Sequence, residues 1–158
     1  MKKTLFLVFV AVWGCSPKQV KQISSVENPN PVEVEVKAIS DNSMEFTVVN
    51  RSETSINIYQ YHNLHIEQKE GDEWIPLRIL FCPCGAPCAK PAEFVSISAG
   101  ESMVWEWNLH ESWCGELVDG FIAETKSQRV SPGEYRIRIL FGHQPKERET
   151  YYKTFIIN

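Results

Sequence analysis

A chain of 158 residues that is 43% hydrophobic and 23% charged has the length and composition of one globular domain, which argues against a disordered or fibrous protein. Its formal charge of -4, more negative once Lys2 and Lys3 leave with a leader, gives no basic surface for phosphate backbones and argues against nucleic acid as a partner. Of the five cysteines, Cys15 follows an apolar N-terminal run, which leaves four for the body of the protein.

The N-terminus reads as an address. Lys2 and Lys3 precede Leu5-Phe6-Leu7-Val8-Phe9-Val10-Ala11-Val12, and Trp13-Gly14-Cys15-Ser16 follows. A basic start, a short apolar stretch and a small residue before the break are the parts of a secretory signal, here residues 1–14, and the stretch is too short to span a bilayer core. Gly14-Cys15-Ser16 resembles the lipobox of bacterial lipoproteins. That resemblance implies acylation of Cys15 as the new N-terminus, and Ser16 in place of Asp implies the outer membrane, facing the periplasm or the cell surface. Buried acyl methylenes contribute about 0.8 kcal/mol each, so several chains anchor durably. Residues 15–31 are polar and turn-prone, a lipidated tether to a domain over 32–158.

Strand signals then recur. Val32-Glu33-Val34-Glu35-Val36-Lys37 alternates strictly, with valines on one face and charges on the other. After Asp41-Asn42-Ser43, residues 44–49 alternate again, and Asn50-Arg51-Ser52 breaks the pattern before a strand over 56–61. Residues 64–69 and 73–77 flank Glu70-Gly71-Asp72 as a hairpin, with Pro76 confined to an edge or strand end. Residues 82–91 are a loop, because prolines and a glycine forbid helix and central strand. Strand character returns over 92–97 and 103–107, which places Met103, Trp105 and Trp107 on one face. Residues 108–120 read as irregular, and Phe121-Ile122-Ala123-Glu124 fits a strand or a helical turn equally. Ser131-Pro132-Gly133-Glu134 predicts a type II turn with Gly133 at positive φ. Residues 135–141 and 151–157 read as the last two strands.

Seven to nine short strands at roughly ten-residue spacing, with no amphipathic helix, predict an all-β antiparallel sandwich with Greek-key connections; a small closed barrel is the alternative. Asn50-Arg51-Ser52, the Trp74 hairpin, Ser98-Ala99-Gly100-Glu101-Ser102 and Val130-Ser131-Pro132-Gly133-Glu134-Tyr135-Arg136 resemble the immunoglobulin-like sandwich of BsuPI-type intracellular proteinase inhibitors and related bacterial lipoproteins. The resemblance spans residues 32–141 and implies the fold. Proteinase inhibition through an exposed loop would follow from fold analogy alone.

The densest chemistry is Phe81-Cys82-Pro83-Cys84-Gly85-Ala86-Pro87-Cys88, with Cys114 further on. In an oxidising compartment four cysteines predict two disulfides. The small ring that Cys82 and Cys84 would close disfavours that pairing, so Cys114 joins Cys82 or Cys84 and Cys88 takes the other. The alternative is a Cu(I) or Zn(II) site made by Cys82, Cys84, Cys88 and Cys114, with or without His110, serving metal binding or delivery. A redox role would want C-x-x-C at a helix N-terminus, which is missing here. Core packing accounts for most of the tryptophans, although Met103, Trp105 and Trp107 could instead line a partner-binding surface. No G-x-S-x-G elbow or carboxylate pair in a motif context points to catalysis, and no cofactor is implied. The expected function is a membrane-anchored envelope lipoprotein whose sandwich acts as a binding or structural module for a protein partner.

Overall fold

The computed structural model describes residues 30–117, 124–144 and 146–158. The leader, Cys15, residues 16–29 of the tether and Phe121-Ile122-Ala123 lie outside the described residues. The described residues form eleven antiparallel strands and contain no helix.

The first sheet has the order β1-β2-β7, with β1 Val32–Ser40, β2 Ser43–Asn50 and β7 Ser102–Trp107. The alternation read in the sequence is the physical partition of this sheet. Val32 and Val34 are buried while Glu33, Glu35 and Lys37 face solvent, as a half-buried strand requires. Asp41 and Asn42 close the β1–β2 hairpin as a two-residue loop, with Ser40 paired to Ser43.

The second sheet is organised on β10, Gly133–Gly142, which pairs with β11, Glu149–Ile157, from Gly133↔Ile157 to Phe141↔Glu149. On the other side of β10 lie two strands in tandem. β3, Ile56–Tyr59, covers residues 140–142, and β4, Ile66–Glu70, covers residues 135–137. They are one strand interrupted by a six-residue excursion, residues 60–65. The chain leaves the sheet at Gln60, whose φ is 54°, and returns where Arg138 N–H donates to His65 O at 2.8 Å. β6, Phe94–Ile97, then pairs with β3, and β5, Glu73–Pro76, with β4. Pro76 ends an edge strand, where its missing N–H is harmless. Gly71 opens the two-residue β4–β5 turn at φ 59°, the left-handed conformation that primed hairpin turns need.

The connections β2→β3 and β6→β7 cross between the sheets, as in a Greek key, and the inward faces of both sheets form one core. Val34, Phe46, Val48 and Trp107 from the first sheet meet Ile58, Ile137, Ile139 and Phe155 from the second. The ring centroids of Phe46 and Phe155 are 5.3 Å apart, and those of Trp107 and Tyr135 are 6.2 Å apart. Near the start of β10 the Tyr135 hydroxyl donates to Ser131 O across the preceding corner. This is the tyrosine corner of immunoglobulin-like sandwiches. Tyr135→Phe, which keeps the ring and loses that bond, is expected to lower unfolding free energy by about 1 kcal/mol in urea titration.

Two expectations are corrected. Gly133 is not at positive φ; it is the first residue of β10, because the pairing with β11 continues to Ile157 and draws the glycine into the ladder. The described residues form eleven strands rather than seven to nine. The excess is a ribbon of β8, His110–Cys114, and β9, Thr125–Arg129, in residues 108–120 that read as irregular and in an all-polar segment that gave no signal.

Candidate functional site

The ribbon β8–β9 stands between β7 and β10, and its five paired positions run from His110↔Arg129 to Cys114↔Thr125. All five residues of β9 are exposed, so the ribbon has no core of its own and must be held from outside. At its root, Val130 N–H donates to Leu109 O at 2.9 Å and the Trp107 indole N–H to His110 O at 3.0 Å. Leu109 is buried at φ 58°, a left-handed conformation that costs a branched residue about 1 to 3 kcal/mol and persists only where surroundings enforce it. Arg129 reaches the β1–β2 turn, donating to Asn42 Oδ1 and Asp41 O.

Along its length the ribbon docks on the segment that follows β5. Ser112 N–H donates to Arg78 O at 2.6 Å, Leu80 N–H to Ser112 Oγ at 2.8 Å and Arg78 N–H to Glu111 Oε1 at 3.0 Å. The Arg78 guanidinium lies 4.0 Å from the centroid of the Trp113 ring. Residues 78–80 thus act as a third strand-like partner. Two tight turns shape the loop beyond, with Ala86 N–H donating to Pro83 O and Cys88 N–H to Ala86 O, and Gly85 adopts φ 74°.

The four cysteines come together in two pairs at disulfide distance. Cys82 and Cys88 have Cα atoms 6.3 Å apart, and Cys84 and Cys114 are 5.6 Å apart, both within disulfide range. Cys84 N–H also donates to Thr125 Oγ1 at 2.9 Å, so the loop grips both members of the last pair of the ribbon. Of the two connectivities that spacing left open, this is the one that ties the ribbon to Cys84.

His110 is not brought to the cysteines. It pairs with Arg129 at the root while Cys114 pairs with Thr125 at the far end, four residues of extended chain away, or about 13 Å. Its Nδ1 is 2.6 Å from Asn108 O. Among the described residues no group of three or more His, Cys, Asp or Glu side chains is placed to hold a metal ion. The shared face of Met103, Trp105 and Trp107 points inward, the core-packing arrangement of the two readings. Trp107 is 2% exposed, Met103 and Trp105 pack against the core, and the Trp105 indole N–H donates to Tyr61 O at 2.7 Å. Alternation on an edge strand fixes which residues share a face, not which face is covered.

Between the ribbon, the end of β7 and residues 79–80 lies an open cleft of about 410 Å³. Leu64, Ile79, Leu80 and Trp107 supply its apolar lining, and Ser43, Glu106, Asn108, His110, Ser112 and Ser127 its polar groups. The serine hydroxyls serve the scaffold: Ser112 Oγ accepts from Leu80, and Ser127 Oγ donates to Glu111 O at 3.2 Å. Among the described residues no ion pair engages Glu106. The volume and mixed lining suit the side chains of a docked segment. Ser43, Leu64 and Ser127 carry no motif, and only the placement of the ribbon makes them part of one site. No protein-family model matches the chain, and no curated protein matches it either.

Proposed function

We propose that this chain is an exported lipoprotein, anchored through Cys15, whose sandwich binds a protein partner of the cell envelope in the cleft between the ribbon, the end of β7 and residues 79–80. The observation that carries this reading is the construction of the cleft. Its lining comes from five stretches of the chain, around residues 43, 64, 79–80, 106–112 and 127, and the Cys84–Cys114 pair lies where the ribbon that carries two of them meets the loop after residues 79–80. A binding site on irregular segments needs such pre-organisation, because ordering loops on association costs affinity. Glu106 places a carboxylate in the lining, and the occupant that complements it is an extended segment presenting a Lys or Arg side chain.

Photo-crosslinking in cells tests this. A benzoylphenylalanine at Ser127 is expected to give a discrete protein adduct that weakens with Glu106→Lys and with paired Cys84→Ala/Cys114→Ala. Equal adducts from Glu35, on the outer face of the first sheet, or adducts indifferent to both changes would contradict it. Anchoring is tested separately: Cys15→Ser is expected to move the protein from the membrane to the soluble fraction, and continued membrane association would count against lipidation.

A further inference from the structure

Five buried polar atoms among the described residues have no hydrogen-bond partner: Tyr59 Oη, His62 Nδ1, Asn63 Oδ1, His65 Nε2 and Arg138 Nε. All belong to the excursion at residues 60–65, to Tyr59 before it or to the strand it faces. A polar group buried unpaired costs about 1 to 3 kcal/mol, so their concentration in one place calls for a common partner. Tyr59, Asn63, His65 and Arg138 are among the residues that line a narrow pocket of about 10 Å³, the smallest volume that takes one water molecule.

The tautomer of His65 follows from its neighbour. An Arg138 terminal guanidinium nitrogen lies 3.3 Å from His65 Nδ1, and a guanidinium only donates, so Nδ1 is the acceptor. The proton of the neutral ring is therefore on Nε2. The unpartnered atoms of these four residues are then two N–H donors, His65 Nε2 and Arg138 Nε, one pure acceptor, Asn63 Oδ1, and one hydroxyl of either sense, Tyr59 Oη. This is the complement of a single water, which accepts two hydrogen bonds and donates two.

We propose that this cavity is a binding site for one structural water that accepts from His65 and Arg138, donates to Asn63 and Tyr59, and closes the excursion onto β10. The site stands independently of the partner-binding cleft, but it supports one wall of it, since Leu64 lies between Asn63 and His65 and lines the cleft.

The site makes the excursion sensitive to protonation. Burial, then the Arg138 charge and then His62 hold His65 below its ordinary 6.5, against a smaller opposing pull from Glu67. Glu67 is itself ion-paired with Arg136. The folded state thus favours neutral His65. Its contribution is fully present above about pH 6.5 and is lost as pH falls from there toward the depressed folded value.

NMR on the isotope-labelled wild-type domain tests the proposal. Long-range ¹⁵N correlations are expected to show the Nε2–H tautomer of His65 at pH 7.5, with a water cross-peak to that proton whose sign marks long residence. Asn63→Leu is expected to abolish the cross-peak while Tyr135 and the core resonances stay in place. A Nδ1–H tautomer, or an Nε2–H with no long-lived water, would overturn the proposal, as would a water signal unchanged by Asn63→Leu. Stability of the wild type should fall between pH 7 and pH 5.5, and His65→Phe should flatten that slope; an equally steep slope in the variant would remove the role of His65.

Discussion

Asn50→Ala is expected to lower unfolding free energy by about 2 to 4 kcal/mol, measured by urea titration with the cysteine pairs intact. Asn50 is fully buried, at 0% exposure. Its amide nitrogen donates to Thr54 O at 2.8 Å and Ile97 O at 3.0 Å, and its oxygen accepts from Ser52 N–H at 2.9 Å and Ser52 Oγ at 2.7 Å. Around it, the backbone of residue 50 exchanges bonds with the β6–β7 turn: Asn50 N–H donates to Glu101 O, and Gly100 N–H to Asn50 O. The side chain thus locks the crossover from the first sheet to the second against the return crossover. Alanine leaves Ile97 O and Ser52 N–H without their side-chain partner where water cannot easily replace it. Asn50→Asp keeps the acceptor but loses both donated bonds and buries a charge, so it is expected to cost at least as much. Ser52→Ala removes one hydroxyl and should cost about 1 kcal/mol. An Asn50→Ala variant within about half a kcal/mol of wild type would contradict this account of the crossover.

The two cysteine pairs are expected to differ in what their removal costs. Cys84 and Cys114 are separated by 30 residues and Cys82 and Cys88 by 6. On the chain-entropy relation, losing the first cross-link lowers stability by about 3.7 kcal/mol and losing the second by about 2.4 kcal/mol. Their local effects should diverge further. Cys84→Ala/Cys114→Ala frees the tip of a ribbon with an exposed β9, so amide exchange is expected to rise through residues 111–114 and 125–128. Cys82→Ala/Cys88→Ala should leave those amides unchanged, because the Ser112–Arg78 and Cys84–Thr125 bonds persist. Equal protection of the ribbon in both variants would show that the strand-like docking of residues 78–80 holds it without a covalent tie.

The sandwich was legible because its strands are half-buried. Val32 to Lys37 and Tyr135 to Phe141 alternate cleanly, and each is in the structure a strand whose apolar side chains enter one core. Where neither face is buried, alternation carries no information, which is why Thr125-Lys126-Ser127-Gln128-Arg129 gave no strand signal although it forms β9. The excursion was hidden for a different reason. Ile56-Asn57-Ile58-Tyr59-Gln60-Tyr61 reads as one strand, and the departure at Gln60 accommodates residues 60–65 opposite only Arg138 and Ile139 of β10. The candidate site was half visible: spacing narrowed the cysteine pairing to two choices, but the cleft depends on where the ribbon lies, and no local pattern encodes that. Trp105 and Trp107 illustrate the limit, since alternation places them on one face and leaves core packing and a binding surface both open, and only the second sheet decides for packing.

A covalent tie between Cys84 and Cys114 is what holds the tip of the ribbon on the cysteine loop. Intact mass and alkylation of the exported domain, followed by non-reducing cleavage after glutamate, test it most directly. The expected result is a mass four hydrogens below the reduced form, no alkylatable thiol among Cys82, Cys84, Cys88 and Cys114, and a fragment carrying Cys114 attached to the fragment carrying the other three, with Cys84 as its partner. Four free thiols, or Cys114 joined to Cys82 or Cys88, would contradict it.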